Sequence, residues 1–185
     1  MLSQENRQIC QLFAEMLDYP GSGLRQAATS CAIQLENISP GITKPVKSFA
    51  GFVNSQSLES LEELYTQTFD VTPATSLYLG YHLFGETPKR SVFLIELTEA
   101  YEAHSFSSGI ELADHLGVML RFLSVSEDPE FTLPLIEECI LPTLEKTEKE
   151  LKENNSQYAL VIGPLQTFLR QATHKLAKTG GVANA

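Results

Sequence analysis

Cysteine is scarce in this chain, and its three copies, Cys10, Cys31 and Cys139, lie far apart. An odd, scattered count argues against a disulfide framework and suits a reducing compartment. Each cysteine sits among apolar residues, so buried free thiols are expected. Basic charge is also short: 13 Lys and Arg face 23 Asp and Glu, for a net charge of −10. Such a field repels phosphate backbones, so nucleic acid is not expected as a partner. It favours a basic partner such as an Arg-rich peptide, although an acidic surface also serves solubility alone. Long apolar runs are missing too. No stretch approaches the roughly 20 apolar residues that span a bilayer, and MLSQENRQICQLFAEML lacks the continuous apolar core of a signal peptide. No stable membrane insertion is expected, and the protein is expected in the cytoplasm.

The familiar marks of catalysis are absent as well. There is no Gly-rich phosphate loop and no Gly-x-Ser-x-Gly elbow. His82, His104, His115 and His174 are far apart, and none belongs to a HExxH or CxxC pattern. The expectation is a protein that is not an enzyme and carries no metal or cofactor.

Helical periodicity, by contrast, runs almost throughout. Ile9, Leu12, Phe13, Met16 and Leu17 form one stripe, ended by Pro20-Gly21; Leu24, Ala27, Ala28, Cys31 and Leu35 form a second. Val46, Phe49 and Val53 follow Pro45, and Leu58, Leu61, Leu64, Tyr65 and Thr68 come next. Thr72-Pro73 and Thr87-Pro88 read as helix starts, each a hydroxyl cap before a residue with no N–H to lose. The first should carry Leu77, Tyr78, Tyr81 and Phe84; the second Phe93, Leu97, Ala100, Tyr101 and His104. Ser108 and Glu111 stand at capping-box spacing before Leu112, Leu116, Met119, Leu120 and Leu123. A helix from about Glu130 to Lys152 should bend near Pro142, and a last one from about Ser156 to Lys178 should kink or split at Pro164. Strand and hairpin signals are weak. The reading is all-α: a single-domain bundle of about eight or nine helices over residues 1–178, with a flexible tail at 179–185.

Three clusters stand out. Tyr65 and Phe69 lie four apart on one helical face, and Asp70 interrupts the helix after them. Tyr78 and Tyr81, three apart, should set two phenol tips on one side of a helix, a pattern that suits a peptide groove as well as a core edge. In ELADHLGVMLRFL, the wheel centres the buried face on Leu112, Leu116, Met119 and Leu123. It places His115 at the border of core and solvent beside Phe122, and projects Asp114 outward. An exposed carboxylate beside a border imidazole is a contact point for a cationic peptide. Core packing and turn formation are the plain alternatives for all of these residues.

At these residues the sequence resembles the redox-enzyme maturation chaperones, the TorD/DmsD/NarJ group. ELADHLGVMLRFL is similar to that group's Glu-x-Pro-Asp-His signature and the apolar helix after it, through Glu111, Asp114, His115, Leu116 and Phe122. Ala113 stands where the signature has proline. YTQTFDVTPATSLYLGYHLFGE resembles the nitrate reductase assembly branch through Tyr65, Phe69, Asp70, Thr75, Ser76, Leu77, Gly85 and Glu86, with Pro88 a departure from it. The likeness is good over roughly Leu58 to Ser124. It implies an all-helical fold whose partner is the catalytic subunit of a molybdenum-containing reductase. The chaperone would bind its N-terminal, twin-arginine-like leader and hold the apoenzyme for cofactor insertion. The expected client-binding residues are Tyr65, Phe69, Asp70, Tyr78, Tyr81, Glu111, Asp114, His115 and Phe122. Two other readings stand beside it: a helical interaction or regulatory module for an unrelated partner, and an enzyme or nucleotide switch built from Glu111, Asp114 and His115.

Overall fold

Ser3 starts the first helix, α1 (Gln4–Met16), by accepting a bond from the Asn6 N–H at 3.2 Å. That satisfies one of the donors a helix start leaves unpaired. The computed structural model describes residues 2–180, with side chains through residue 174. Ile9, Cys10, Phe13, Ala14 and Met16 face inward from α1. Helix α2 (Leu24–Ile38) meets it with the small side chains of Ala27, Ala28, Cys31 and Ala32, and turns through Pro40–Ile42 into α3 (Thr43–Ser55). Helix α4 (Leu58–Tyr65), capped by Ser57, runs on into a widened π turn at Thr66–Asp70.

A short 3-10 turn at Pro73–Thr75 precedes α5 (Leu79–Phe84). Gly85 ends α5 at φ 60° and ψ −154°, a conformation that side-chain-bearing residues essentially do not adopt. Helix α6 (Pro88–Ala103) follows, then a loop, then α7 (Leu116–Val125), which lies along α1. Asp128 caps α8 (Pro129–Pro134), accepting from the N–H groups of Glu130 at 2.9 Å and Phe131 at 3.2 Å. Helix α8 passes through a π turn at Leu135–Ile140 into α9 (Leu141–Glu153). Pro134 and Pro142 remove backbone donors at either side of that turn, and the irregular ladder lies between them. Helix α10 (Ala159–Gly180) packs on α9 and α3 and reaches α1 through Phe13 and Phe168, whose rings are 6.0 Å apart.

Apart from one isolated antiparallel bridge, Tyr78 opposite His115, the regular elements among the described residues are all helical. With α8 and α9 joined as one rod, the described helices agree with the expected eight or nine. Cys10 and Cys31 are buried free thiols and Cys139 is half-buried. Pro164 neither splits nor ends α10; its neighbours Val161, Ile162, Leu165, Phe168 and Leu169 are fully packed, and that burial outweighs one lost backbone bond. The expected tail at 179–185 begins inside α10, and 181–185 lie outside the described residues.

Three expectations are corrected here. Thr72 and Thr87 do not cap; their hydroxyls donate backward to the carbonyls of Gln67 at 2.8 Å and Phe84 at 2.9 Å. The helix expected after Pro73 stops at Thr75, because Ser76 to Tyr78 is drawn out to pair with 113–116, a tertiary pairing that overrides local propensity. Tyr78 and Tyr81 therefore do not share a helical face. The Ser108–Glu111 capping box is not formed either: α7 begins at Leu116 with His115 as its cap, and Leu112, expected in the core stripe, is half-exposed in the preceding loop.

Candidate functional site

Where the two signature segments meet, backbone bonds hold them in a fixed register. The Leu79 N–H donates to the Asp114 carbonyl at 2.9 Å, and the Leu116 N–H donates to the Leu77 carbonyl at 2.8 Å. The Tyr101 hydroxyl on α6 donates to the Ala113 carbonyl at 2.8 Å. Residues 113–116 thus tie α5, α6 and α7 together. Phe122 is buried behind them, its ring 4.7 Å from Tyr101 and 5.6 Å from Phe106.

Asp114 does not project outward, as the wheel suggested; it is 0% exposed. The wheel assumed a helix through 114, but this residue precedes α7 and its side chain turns inward. Oδ2 accepts from Arg90 Nε at 2.9 Å, and Oδ1 has no partner among the described residues. Gly80 makes the approach possible, since a Cβ there would stand 2.5 Å from Asp114 Oδ2 and 3.1 Å from Arg90 Cγ. The Arg90 guanidinium also lies over the Tyr78 ring, 5.8 Å from its centroid, in cation–π range.

His115 is more buried than a border position, at 6% exposure. Its Nδ1 accepts from the Gly117 N–H at 3.2 Å, so the ring caps α7 in a form that leaves Nδ1 unprotonated. Burial pushes its pKa below the ordinary 6.5, helped by the Arg121 charge and opposed by Glu111, Asp18 and Asp114. The Tyr78 and His115 rings meet edge to face at 5.3 Å.

The outer side of the junction is amphipathic. The half-buried Tyr78 donates its hydroxyl to Glu111 Oε2 at 3.0 Å. Its phenol is pushed up to about 12, first by burial, then by that bond, and then by the charges of Glu111, Asp114 and Asp70. Ile110, Glu111 and Leu112 are all exposed, as is Asp70. Tyr81 is half-buried one turn into α5. Tyr65 and Phe69 face the core. The Tyr65 hydroxyl donates to the Leu17 carbonyl at 3.1 Å, and Phe69 meets Tyr158 at 4.6 Å.

The nine expected site residues therefore divide. Asp70, Tyr78, Tyr81 and Glu111 reach the surface, whereas Tyr65, Phe69, Asp114, His115 and Phe122 are buried. Sequence reasoning missed Arg90, Gly80, Ile110 and Leu112. Asp114 and His115 are the polar residues of an otherwise apolar run, LADHLGVML, and a buried carboxylate needs a cation, which points to Arg90. A lone glycine inside the Leu79–Phe84 pattern signals a close approach.

These features define the class: an all-helical domain that presents a loop-borne aromatic and acidic face. Residues 35–133 match the family described as the nitrate reductase delta subunit. The chain belongs to that family, the NarJ/TorD group of molybdoenzyme maturation chaperones. A Bacillus subtilis protein named as a nitrate reductase molybdenum cofactor assembly chaperone, NarJ, is 31% identical over 129 residues, covering 69% of each chain. The Escherichia coli K12 chaperone of that name is 25% identical over 154 residues, covering 81% of this chain and 64% of its own, so this chain spans under two thirds of that relative. A crystal structure of a candidate redox enzyme maturation protein from Archaeoglobus fulgidus has the same fold, at TM-score 0.61 and 20% identity over 89% of this chain and 93% of that one. Among the described residues, no helix is long and apolar enough to cross a membrane.

Proposed function

We propose that the protein is a cytoplasmic assembly chaperone that does no chemistry of its own. It binds the N-terminal, twin-arginine-like segment and the apo form of a nitrate reductase-like catalytic subunit, and holds them for molybdenum cofactor insertion. Beyond family membership, one observation carries the reading: Tyr78 and Glu111 are bonded to each other at the surface, flanked by exposed Ile110 and Leu112. A carboxylate takes the basic part of a leader, and the aromatic and aliphatic side chains take its apolar part.

In this reading Asp70, Tyr78, Tyr81 and Glu111 make the contacts, while Asp114, His115, Phe122, Tyr65 and Phe69 hold those residues in place. The test is a titration with the N-terminal peptide of the catalytic subunit, using Tyr78→Ala combined with Glu111→Lys. Loss of a surface hot-spot pair should weaken binding about tenfold or more, with the circular dichroism spectrum unchanged. The reading fails if neither peptide nor apo-subunit binds the native protein, or if the double variant keeps full affinity.

A further inference from the structure

A groove between α6 and the α8 rod supplies a second surface, and none of the residues lining it belongs to the junction. Phe93 and Leu97 form one wall, and Phe131, Pro134 and Leu135 the other, around a cavity of about 220 Å³. That is below the roughly 300 to 1,000 Å³ of pockets that enclose whole cofactors or metabolites, and is the scale of one or two large side chains. The rim is acidic on both sides: Glu96 from α6, Glu130 and Glu138 from the rod, all exposed. Among the described residues, no Lys or Arg lines it. Val92, one turn before Glu96 on α6, is also exposed, at 55%.

Part of the rod wall comes from the π turn, since Leu135, Glu138 and Cys139 lie within Leu135–Ile140. Such turns are frequent at functional sites. The lining stripe from Glu130 to Cys139 extends about 13 Å at helical rise, a length that two to three turns of a second helix would match.

We infer that this groove docks an amphipathic helical segment of another protein, one with Leu-, Met- or Phe-sized anchors at three- and four-residue spacing flanked by Lys or Arg. Apolar floor and carboxylate rim recognise the two halves of that pattern together. A second copy of this chain fits poorly, because each copy carries a net charge of −10 to an already acidic rim. The inference does not rest on leader binding at the junction.

Cys139 supplies a native reporter, since it lines the groove and is half-buried, whereas Cys10 and Cys31 are 0% exposed. The probe is a designed helical peptide of Leu and Lys, with its Leu residues on one face, compared with a Leu and Glu peptide of the same apolar face. Binding is read by fluorescence anisotropy and by the rate of Cys139 alkylation with N-ethylmaleimide on the full chain. The Leu/Lys peptide should bind and slow alkylation about fivefold or more at saturation, because the thiol loses access. Glu96→Lys, Glu130→Lys and Glu138→Lys together should weaken binding about tenfold or more. The same charge change at Glu5, Glu59 and Glu63, all exposed elsewhere, should weaken it less than about threefold. The inference is overturned if the Leu/Lys peptide does not bind, or binds without protecting Cys139. Equal binding of the Leu/Glu peptide, or equal losses in the two charge-reversed proteins, overturns it as well.

Discussion

Replacing Arg90 by Met should destabilise the protein more than any other single charge removal at its surface. Methionine keeps much of the aliphatic stem beside Gly80, so the change isolates the charge from the packing. Asp114 is 0% exposed and Arg90 21% exposed, and their 2.9 Å contact is the bonded partnership of the carboxylate, whose other oxygen has no partner among the described residues. Stranding a buried charge in this way costs about 3 to 5 kcal/mol, and the partial exposure of Arg90 favours the lower end, near 3 kcal/mol. Asp114→Asn removes the buried charge instead. The guanidinium left behind can turn toward water or keep one bond to the amide oxygen, so this change should cost about 1 to 2 kcal/mol. The asymmetry is the signature of the arrangement: the less buried partner is the more costly one to lose. Equilibrium urea unfolding of both variants reads it directly, through midpoints at unchanged slope. An Arg90→Met loss below about 1 kcal/mol, the value of an exposed ion pair, would refute the argument; so would a larger loss for Asp114→Asn.

Gly80→Ala gains up to about 1 kcal/mol of helix propensity. It also drives a methyl to 2.5 Å from a fixed, buried carboxylate oxygen, so a net loss of about 2 kcal/mol or more is expected in the same unfolding assay. Gly163→Ala is its control: the new methyl would meet the carboxylate end of Glu148, a flexible side chain whose Lys152 partner at 2.6 Å is exposed and can move with it, so stability should stay within about 1 kcal/mol. Stability should also fall as the solution is acidified from about pH 8 to about pH 5. Burial lowers the folded pKa of His115 and of His82, Arg121 adding to the first effect and Lys146 to the second. The unfolded chain therefore takes up protons first, near 6.5, and the loss levels off below the folded values. His115→Asn keeps a side-chain acceptor for the Gly117 N–H and cannot titrate; a pH slope as steep as that of the native chain would overturn this assignment.

Which parts were legible follows from how far each signal reaches. The stripes of α1, α2 and α3 are local, and their buried residues, such as Ile9, Phe13, Cys31, Val46 and Phe49, are those periodicity selects. The start of α6 at Pro88 is legible for the same reason. Tyr65 and Phe69 do share a face, meeting at 5.1 Å, but the face points into the core. The junction was not legible because it is set by contacts across the chain. His115 pairs with Tyr78 and Asp114 with Arg90, 24 residues apart. A helical wheel carried through Ala113 to Leu116 cannot anticipate an extended bridge, and the outward vector it assigned to Asp114 points inward in the fold.

That inversion changes what the Asp-His pair does for the surface beside it. Asp114 holds α6 through Arg90, and His115 caps α7. The Asp114 carbonyl accepts from Leu79 at the start of α5, the Leu116 N–H donates to the Leu77 carbonyl just before it, and Ala113 receives the Tyr101 hydroxyl. The exposed run Ile110-Glu111-Leu112 enters this knot directly and inherits its position from it, as does Tyr78 from the other strand of the bridge. The recognisable residues and the contacting residues are then adjacent without being the same. A client-affinity loss in an Asp114 or His115 variant reports support as readily as contact. Only losses measured on chains with an unchanged unfolding midpoint, as Glu111 and Tyr78 substitutions at the surface should allow, separate the two.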